Sequence, residues 1–311
     1  MTTGVVLMTY GSPQDLDDVG AYITRVRGGR APDDALLAEF RRRYERIGMS
    51  PLISITRDQA NALEVALGSD FRVTAGMRFS EPSIESAVHE LNGVDRVVGL
   101  ILSPQYSPTL MGGYHQALSQ AAGELSCRTV GAWHLNPAFV DVLASHIRHA
   151  LAAFPHGVRD EVPVLLTAHS LPKRVVDREP DYVAQLKDTA HAVAQAADLL
   201  PERWFFVYQS AGHTPEEWLK PDMLDVLPEL AAAGHRAVIV APVQFLADHL
   251  ETLYDVDVAG REQAEQAGIT SFTRVAAPNA APDFIDALAS VVRGELAAWE
   301  GVARGVRWAT A

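Results

Sequence analysis

The chain has 311 residues, of which 26 are basic and 39 acidic, and its formal net charge is −13. This balance argues against a nucleic-acid-binding protein and against docking on anionic lipid, because both functions need a basic surface. The hydrophobic share of 48% excludes an intrinsically disordered chain.

Short runs rich in β-branched residues alternate with amphipathic stretches along the chain. The runs predict eight strands, at 5–9, 71–75, 96–102, 128–133, 162–168, 204–208, 237–241 and 271–275. The stretches predict helices near 33–47, 56–68, 83–92, 113–125, 137–154, 181–199, 222–233, 248–267 and 281–299. Such alternation is typical of parallel sheets covered on both faces, and the uneven spacing favours two four-stranded units over one barrel.

An internal echo predicts a duplication. The first strand ends in VLMTYGSP (6–13) and the fifth in LLTAHSLP (165–172), while LSPQY (102–106) is answered by APVQF (241–245). The offset falls from 159 to 138 residues between these pairs, so the first half carries about 21 extra residues after its opening strand. We expect an N-terminal domain over 1–155 with an Arg-rich insertion at 20–50, and a C-terminal domain over 156–311 whose last helix can pack on the first.

Two side chains mark equivalent strand ends in the two halves. Tyr10 follows the first strand and His169 follows the fifth. Ligands of open parallel sheets bind beyond the carboxyl ends of the strands, so we expect both residues to face one cleft from opposite sides. A purely structural role for an isolated histidine at such a place stays open.

The segment 247–257 is rich in carboxylates. On a continuous helix, Asp248, Glu251 and Asp255 lie at positions i, i+3 and i+7 of one face. Two interpretations stay open: a solvated acidic face, or a path for a divalent cation with oxygen and imidazole ligands.

Residues 20–50 carry a local positive surplus within this acidic chain. Seven arginines face four acids there, which leaves either a solvated helical face or a clamp for an acidic ligand. The arginines are Arg25, Arg27, Arg30, Arg41, Arg42, Arg43 and Arg46.

Several common sites are missing from the sequence. No glycine-rich dinucleotide fingerprint, P-loop or GxSxG elbow is present, which argues against nucleotide binding and an α/β-hydrolase triad.

The single cysteine, Cys127, is expected to be a small buried strand residue. No apolar run reaches the roughly 18 residues that a membrane span needs, and no signal peptide is evident, so we expect a soluble cytoplasmic protein.

Three segments together resemble the ferrochelatases, the enzymes that insert Fe(II) into a porphyrin to make haem. They are TAHSLP (167–172), the stretch from Gln209-Ser210 to Trp218-Leu219, and PVQF to DHLE (242–251). The resemblance runs from Leu7 to about Val292. It implies two similar Rossmann-like, chelatase-type α/β domains, each with a four-stranded parallel sheet flanked by helices, and a porphyrin cleft between them.

The resemblance also implies roles for individual residues. His169 and Glu251 match the pair that faces the metal from one side of the macrocycle. Tyr10 matches a tyrosine on the opposite side in Gram-positive-type enzymes, where it can ligate the product iron. The positions that contact the tetrapyrrole or its propionates are matched by Arg27, Arg43, Tyr44, Ser50 and Tyr114.

These matches and the arginine surplus favour coproporphyrin III, with four propionates, over protoporphyrin IX, with two. Ala259 stands where relatives often carry a further carboxylate, and Glu217 where a proline often precedes the tryptophan. The single Cys127 excludes the four-cysteine [2Fe–2S] cluster of some bacterial members, so we expect no cofactor and treat Fe(II) as a substrate.

The implied mechanism has Arg27 and Arg43 holding propionates, His169 accepting a pyrrole proton, and Glu251 orienting that imidazole. The expected partners are the porphyrin, Fe(II) and other haem-pathway enzymes, with no nucleic acid and no integral membrane segment, and the expected state is a monomer. The alternatives are a protoporphyrin enzyme, a sirohydrochlorin chelatase, a hinged solute-binding protein and a haem carrier without catalysis.

Overall fold

Eight strands form two parallel sheets in the part of the chain that the computed structural model describes, residues 1–212 and 215–306, with side chains as far as residue 301. The first sheet has the order β2-β1-β3-β4, with β1 Thr3–Thr9, β2 Phe71–Met77, β3 Arg96–Ile101 and β4 Ser126–Thr129. The second has the order β6-β5-β7-β8, with β5 Val164–His169, β6 Trp204–Gln209, β7 Ala237–Pro242 and β8 Ser271–Arg274. The predicted pair of four-stranded parallel sheets is confirmed, and the identical strand order agrees with a duplication.

The central strands β1 and β5 are hydrophobic along almost their whole length. Every residue of β1 is buried, and β5 is buried up to the half-buried His169 at its end. Continuous apolar strands are typical of parallel sheets with helices on both faces. Both strands therefore deliver their polar last residues to the edge of the sheet where ligands bind.

The fourth strand lies earlier in the chain than the predicted range 128–133. β4 pairs with β3 from Ser126 to Thr129, and the chain then leaves the sheet. Trp133 is buried instead in the core, and its indole N–H donates to the carbonyl of Ile101 at 3.3 Å. The apolar character of these residues reflects core burial and not strand pairing. Cys127 does lie in β4, where it is half-buried.

Twelve α-helices are present in the described residues, and three short ones were not predicted from the sequence: Val19–Val26, His156–Arg159 and Lys173–Val176. They are α1 Val19–Val26, α2 Asp34–Ile47, α3 Leu52–Leu67, α4 Ile84–Glu90, α5 Pro108–Ala122, α6 Pro137–Ala152, α7 His156–Arg159, α8 Lys173–Val176, α9 Pro180–Ala196, α10 Met223–Ala232, α11 Arg261–Ala267 and α12 Pro282–Val306. A short 3₁₀ turn spans Pro201–Arg203.

Helix α2 shows how the sequence sets its ends. The carboxylate of Asp33 caps its N-terminus by accepting a hydrogen bond from the Leu36 N–H at 2.8 Å. Gly48, with a φ of +72°, ends it in the left-handed conformation that glycine adopts without a Cβ penalty. These caps fix the last turn of α2, which carries Arg43 and Tyr44.

The predicted continuous helix 248–267 is wrong in its first part. A π-helix spans Glu251–Gly260, α11 follows it, and Asp248 lies before both in an irregular segment. A π-helix closes its hydrogen bonds from i to i+5 and has a wider turn than an α-helix. The i, i+3, i+7 spacing therefore does not bring Asp248 onto one helical face with Glu251 and Asp255.

An apolar cluster joins the two sheets. It contains Leu7 of β1, Leu166 of β5, Phe139 of α6 and Phe284 of α12. Helix α12 packs against α3 and α6, so the last described helix returns to the first half of the chain. The boundary at residue 155 stays a prediction, and residues 307–311 lie outside the described part.

None of the helices that the structure describes is long and apolar enough to cross a membrane.

Candidate active site

His169 is held at the end of β5 through its backbone and one ring nitrogen. Its N–H donates to Gln244 Oε1 at 2.8 Å, and Gln244 Nε2 donates in turn to the hydroxyl of Tyr182 at 2.8 Å. The ring Nδ1 contacts the carbonyl oxygen of Ser170, which can only accept a hydrogen bond. We therefore assign the Nδ1 proton to this contact, and the Nε2 atom is left for chemistry in the cleft.

Glu251 lies between two imidazoles. Its Oε1 is 3.5 Å from His169 Nε2, and its Oε2 is 3.5 Å from His249 Nε2. His249 repeats the arrangement of His169, because its Nδ1 contacts the carbonyl oxygen of Ala247 at 2.9 Å. Both histidines thus turn the Nε2 atom to the same carboxylate. The sequence assigned no role to His249, although its place two residues before Glu251 was a usable signal.

The charged forms of His169 and Glu251 stabilise each other. Burial alone lowers the pKa of His169, but the Glu251 carboxylate raises that pKa to about 9. Burial alone raises the pKa of Glu251, but the charge of His169 and hydrogen bonds from both histidines hold that pKa well below its usual range. At neutral pH the free protein therefore carries an imidazolium at His169 beside a carboxylate at Glu251.

Tyr10 follows the end of β1 and lies within electrostatic reach of Glu251. Its ring meets the ring of Phe79 edge to face, with centroids 4.7 Å apart, and 45% of the residue is exposed. Burial raises the pKa of Tyr10, the nearby Arg78 opposes this, and the charge of Glu251 adds to it. The influence of Glu251 on Tyr10 supports the expectation that the two strand ends share one cleft.

The loop that carries Tyr10 is fixed by its neighbours. The hydroxyl of Tyr22 donates to the carbonyl of Gly11 at 2.9 Å. Gly11 has a φ of +92°, and a Cβ at that position would lie 2.6 Å from Ser80 Oγ. Only glycine fits there without a backbone shift.

Arg78 is a functional candidate that the sequence reasoning missed. It is the eighth residue from the start of β2, and its guanidinium carbon lies 5.0 Å from the Phe79 ring centroid and 5.2 Å from that of Tyr114. Its Nη1 donates to the carbonyl of Leu110 at 3.1 Å. The predicted strand 71–75 ended too early to place this arginine at the carboxyl edge. Tyr114, in α5, is buried beneath it.

The arginine region contributes Arg43 in a way the sequence did not predict. Its guanidinium meets Glu39 Oε1 at 2.7 Å and Asp255 Oδ1 at 3.3 Å. It also lies 5.1 Å from the ring centroid of Tyr254. Arg43 thus links α2 to the π-helix.

The other predicted binding residues are Tyr44, Arg27 and Ser50. Tyr44 is buried, and burial together with the charge of Glu251 raises its pKa well above the usual range. Arg27 donates from Nη1 to the carbonyl of Ala31 at 3.0 Å. Ser50 Oγ accepts from the Leu52 N–H at 3.3 Å. Arg27 and Ser50 are engaged within their own loops, whereas Tyr44 lies within electrostatic reach of Glu251.

The predicted row of three carboxylates is reduced to two. Asp248 pairs with Arg274 Nη1 at 2.9 Å and does not line up with Glu251. Asp255 stays near the pair, and burial raises its pKa above the usual value. In the described residues no cluster of three or more histidine, cysteine or acidic side chains has the arrangement of a closed metal site.

Sequence comparison gives one consistent result. The family model described as Ferrochelatase matches residues 2–296. A ferrochelatase of Herpetosiphon aurantiacus is 38% identical over 304 residues, covering 94% of this chain and 99% of the relative. Two coproporphyrin III ferrochelatases, from Geobacillus kaustophilus and Bacillus subtilis, are 37% and 35% identical over 94% of this chain, and cover 95% and 97% of those relatives.

Comparison with solved structures concerns the fold alone, because the identities are low. SirB from Bacillus subtilis with Fe³⁺ has a TM-score of 0.60 at 12% identity, covering 97% of this chain and 98% of that chain. CbiX, the terminal enzyme of sirohaem biosynthesis in denitrifying bacteria, has a TM-score of 0.55 at 14% identity, covering 94% and 99%. The chelatase-type arrangement of the two sheets is confirmed.

Proposed function

The chain belongs to the ferrochelatase family, and we propose that the porphyrin into which it inserts Fe(II) is coproporphyrin III. Relatives at 34–37% identity that bear this substrate in their names support the proposal. The arginine surplus in residues 20–50 supports it from the sequence, since coproporphyrin III carries four carboxylates and protoporphyrin IX carries two.

One observation carries the assignment of the site. Glu251 lies 3.5 Å from the Nε2 atoms of both His169 and His249. Insertion of Fe(II) releases two protons from the porphyrin nitrogens, so the site must accept protons and receive a cation. Two imidazoles that share one carboxylate can serve both needs.

The order of events follows from the charge of the free site. His169 already holds a proton at neutral pH, because its pKa is about 9. A divalent cation near Glu251 would drive that proton from His169 to solvent water and so return His169 to its neutral form. The free Nε2 then accepts a pyrrole proton, and His249 accepts the second through the shared carboxylate. The macrocycle loses two protons and gains Fe(II), which balances charge.

Arginine side chains would hold the substrate rim. We assign propionate contacts to Arg27 and Arg78, which both lie in the first half of the chain. Arg43 already pairs with Glu39 and Asp255, so these carboxylates compete with a propionate for its guanidinium. Bidentate guanidinium–carboxylate pairs orient as well as bind, which suits a planar ligand. Tyr10 would face the opposite side of the macrocycle from His169.

The test is an anaerobic assay with Fe(II) and, separately, coproporphyrin III, protoporphyrin IX and sirohydrochlorin, following loss of the free-base spectrum. We expect kcat/KM to be highest for coproporphyrin III. Equal or higher values for protoporphyrin IX contradict the proposed specificity, and turnover of sirohydrochlorin alone contradicts the haem-pathway role. No turnover with any of the three contradicts the enzymatic function.

The cytoplasmic location, the monomeric state, the absence of a cofactor and contacts with other haem-pathway enzymes stay predictions.

A further inference from the structure

A group of polar contacts holds the chain segment just before Glu251, and the proposed mechanism does not use them. Its centre is Asn279, in the loop between β8 and α12. We propose that Asn279 is a positioning residue, which holds the segment 246–251 so that Glu251 stays between His169 and His249. This inference rests on the roles proposed above for those three residues.

Asn279 binds the segment at three points. Its Oδ1 accepts from the Asp248 N–H at 2.8 Å, and its Nδ2 donates to Asp248 Oδ2 at 3.0 Å. Its own N–H donates to the carbonyl of Leu246 at 2.9 Å. The segment between β7 and the π-helix is irregular, so its backbone polar groups need partners outside a regular ladder. Asn279 supplies them immediately before the reactive residues.

Arg274 binds two carboxylates that flank the same segment, Asp248 and Asp257. Its Nη1 lies 2.9 Å from Asp248 Oδ1, and its Nε lies 2.9 Å from both carboxylate oxygens of Asp257. The Arg274 side chain is only 12% exposed. The segment that bears Glu251 is therefore held at both ends, by Asp248 before it and by Asp257 beyond it.

The contacts of Asn279 and Arg274 with the segment 246–251 are connected to the first half of the chain. The carbonyl of Asn279 accepts from Nε2 of Gln59 at 2.7 Å, and Gln59 is fully buried in α3. Gln209 at the end of β6 donates from Nε2 to the carbonyl of Glu251 at 3.1 Å. The position of Glu251 is thus set relative to the half of the protein that carries Tyr10. A misplacement of about 1 Å can cost about a hundredfold in rate.

The backbone of Asn279 offers a selective test. Its φ is +48°, in the left-handed region that asparagine tolerates and glycine adopts freely. Asn279→Gly therefore removes Oδ1 and Nδ2 without straining the loop. We expect kcat for Fe(II) insertion to fall about ten- to hundredfold, while the KM for porphyrin changes by less than about twofold.

A matched control exists on the surface. Asp198 is exposed at the end of α9, has a φ of +57°, and is remote in sequence from the site. Asp198→Gly makes a comparable change in backbone freedom, and we expect kcat and KM to stay as in the wild type. Both variants are assayed well below their unfolding temperatures, which are measured first.

A double variant separates positioning from general weakening. Asp248→Ala removes the acceptor of the Asn279 Nδ2 donor and the partner of Arg274 Nη1, but it keeps the backbone N–H that Asn279 Oδ1 accepts from. Because the two variants share one lost contact, the loss of kcat in the double variant should be smaller than the product of the two single losses. If Asn279→Gly does not fold, Asn279→Asp replaces it, since that variant keeps the acceptor for the Asp248 N–H and loses the donor. Because this variant sets a second carboxylate oxygen beside Asp248 Oδ2, a loss of kcat at unchanged KM is then expected.

Three results would overturn the proposal: unchanged kcat in the folded variant, a loss that falls wholly in KM, or fully multiplicative losses in the double variant. An inactive wild type would instead contradict the proposed function.

Discussion

Replacing Glu251 by glutamine removes a negative charge that lies 3.5 Å from His169 Nε2 while leaving a side chain of the same size. In the wild type that charge raises the pKa of His169 to about 9, against an ordinary value of 6.5. Without it, burial is the strongest remaining influence and acts in the opposite direction. We expect the pKa of His169 to fall to about 6.5 or lower in Glu251→Gln.

The measurement is an NMR titration of the His169 ring in the free protein, assigned with a variant that lacks this histidine. Glu217→Gln is the control, because Glu217 lies in the same half of the chain, is 73% exposed and pairs with Lys173. This control should leave the titration of His169 unchanged. A wild-type pKa near 6.5, or one that Glu251→Gln does not lower, would refute the reasoning.

The same pair gives stability a defined pH dependence. The folded pKa of His169 is above its unfolded value, so its contribution is complete below pH 6.5 and is lost as pH rises through about 9. The folded pKa of Glu251 is depressed, so its contribution is present above pH 4.5 and is lost as pH falls. The free energy of unfolding of the wild type should exceed that of Glu251→Gln most between these limits, and the difference should decline toward pH 9 in denaturant titrations.

Three further predictions follow from the site. His169→Ala should abolish Fe(II) insertion while porphyrin binding, measured by absorbance titration, persists; full activity would remove His169 from the mechanism. Arg78→Met should raise the KM for coproporphyrin III about tenfold with little change in kcat, whereas an unchanged KM would argue against a propionate contact. Gly11→Ala should lower stability by about 1–3 kcal/mol in denaturant titrations, because it forces a Cβ against Ser80; an unchanged midpoint would contradict this.

The sequence predicted most of the fold because parallel strands have a strong signature. Short runs of apolar and β-branched residues, such as β1, predict strands that are buried on both faces. The polar residues that follow these runs, Tyr10 and His169, mark the carboxyl edge of the sheets. The family resemblance predicted that Glu251 lies beside His169. Chain order and hydrophobic spacing were sufficient for these features.

What escaped prediction depends on contacts between distant residues. The π-helix cannot be read from 3.6-residue spacing, and its start depends on partners such as Gln209 and Asn279. Arg78 was missed because the strand before it, β2, extends to Met77, two residues beyond the predicted end at residue 75. The ion pair of Arg43 with Asp255 joins residues 212 positions apart, so no local pattern reports it.

The return of α12 to the first half has a consequence for how the enzyme moves. Opening the cleft by swinging the halves apart would expose the apolar cluster shared by β1, β5, α6 and α12 to water. A hinge of the kind found in solute-binding proteins is therefore costly here. We therefore expect the substrate to enter and the product to leave through rearrangement of the loops at the strand ends, while the two sheets stay packed together.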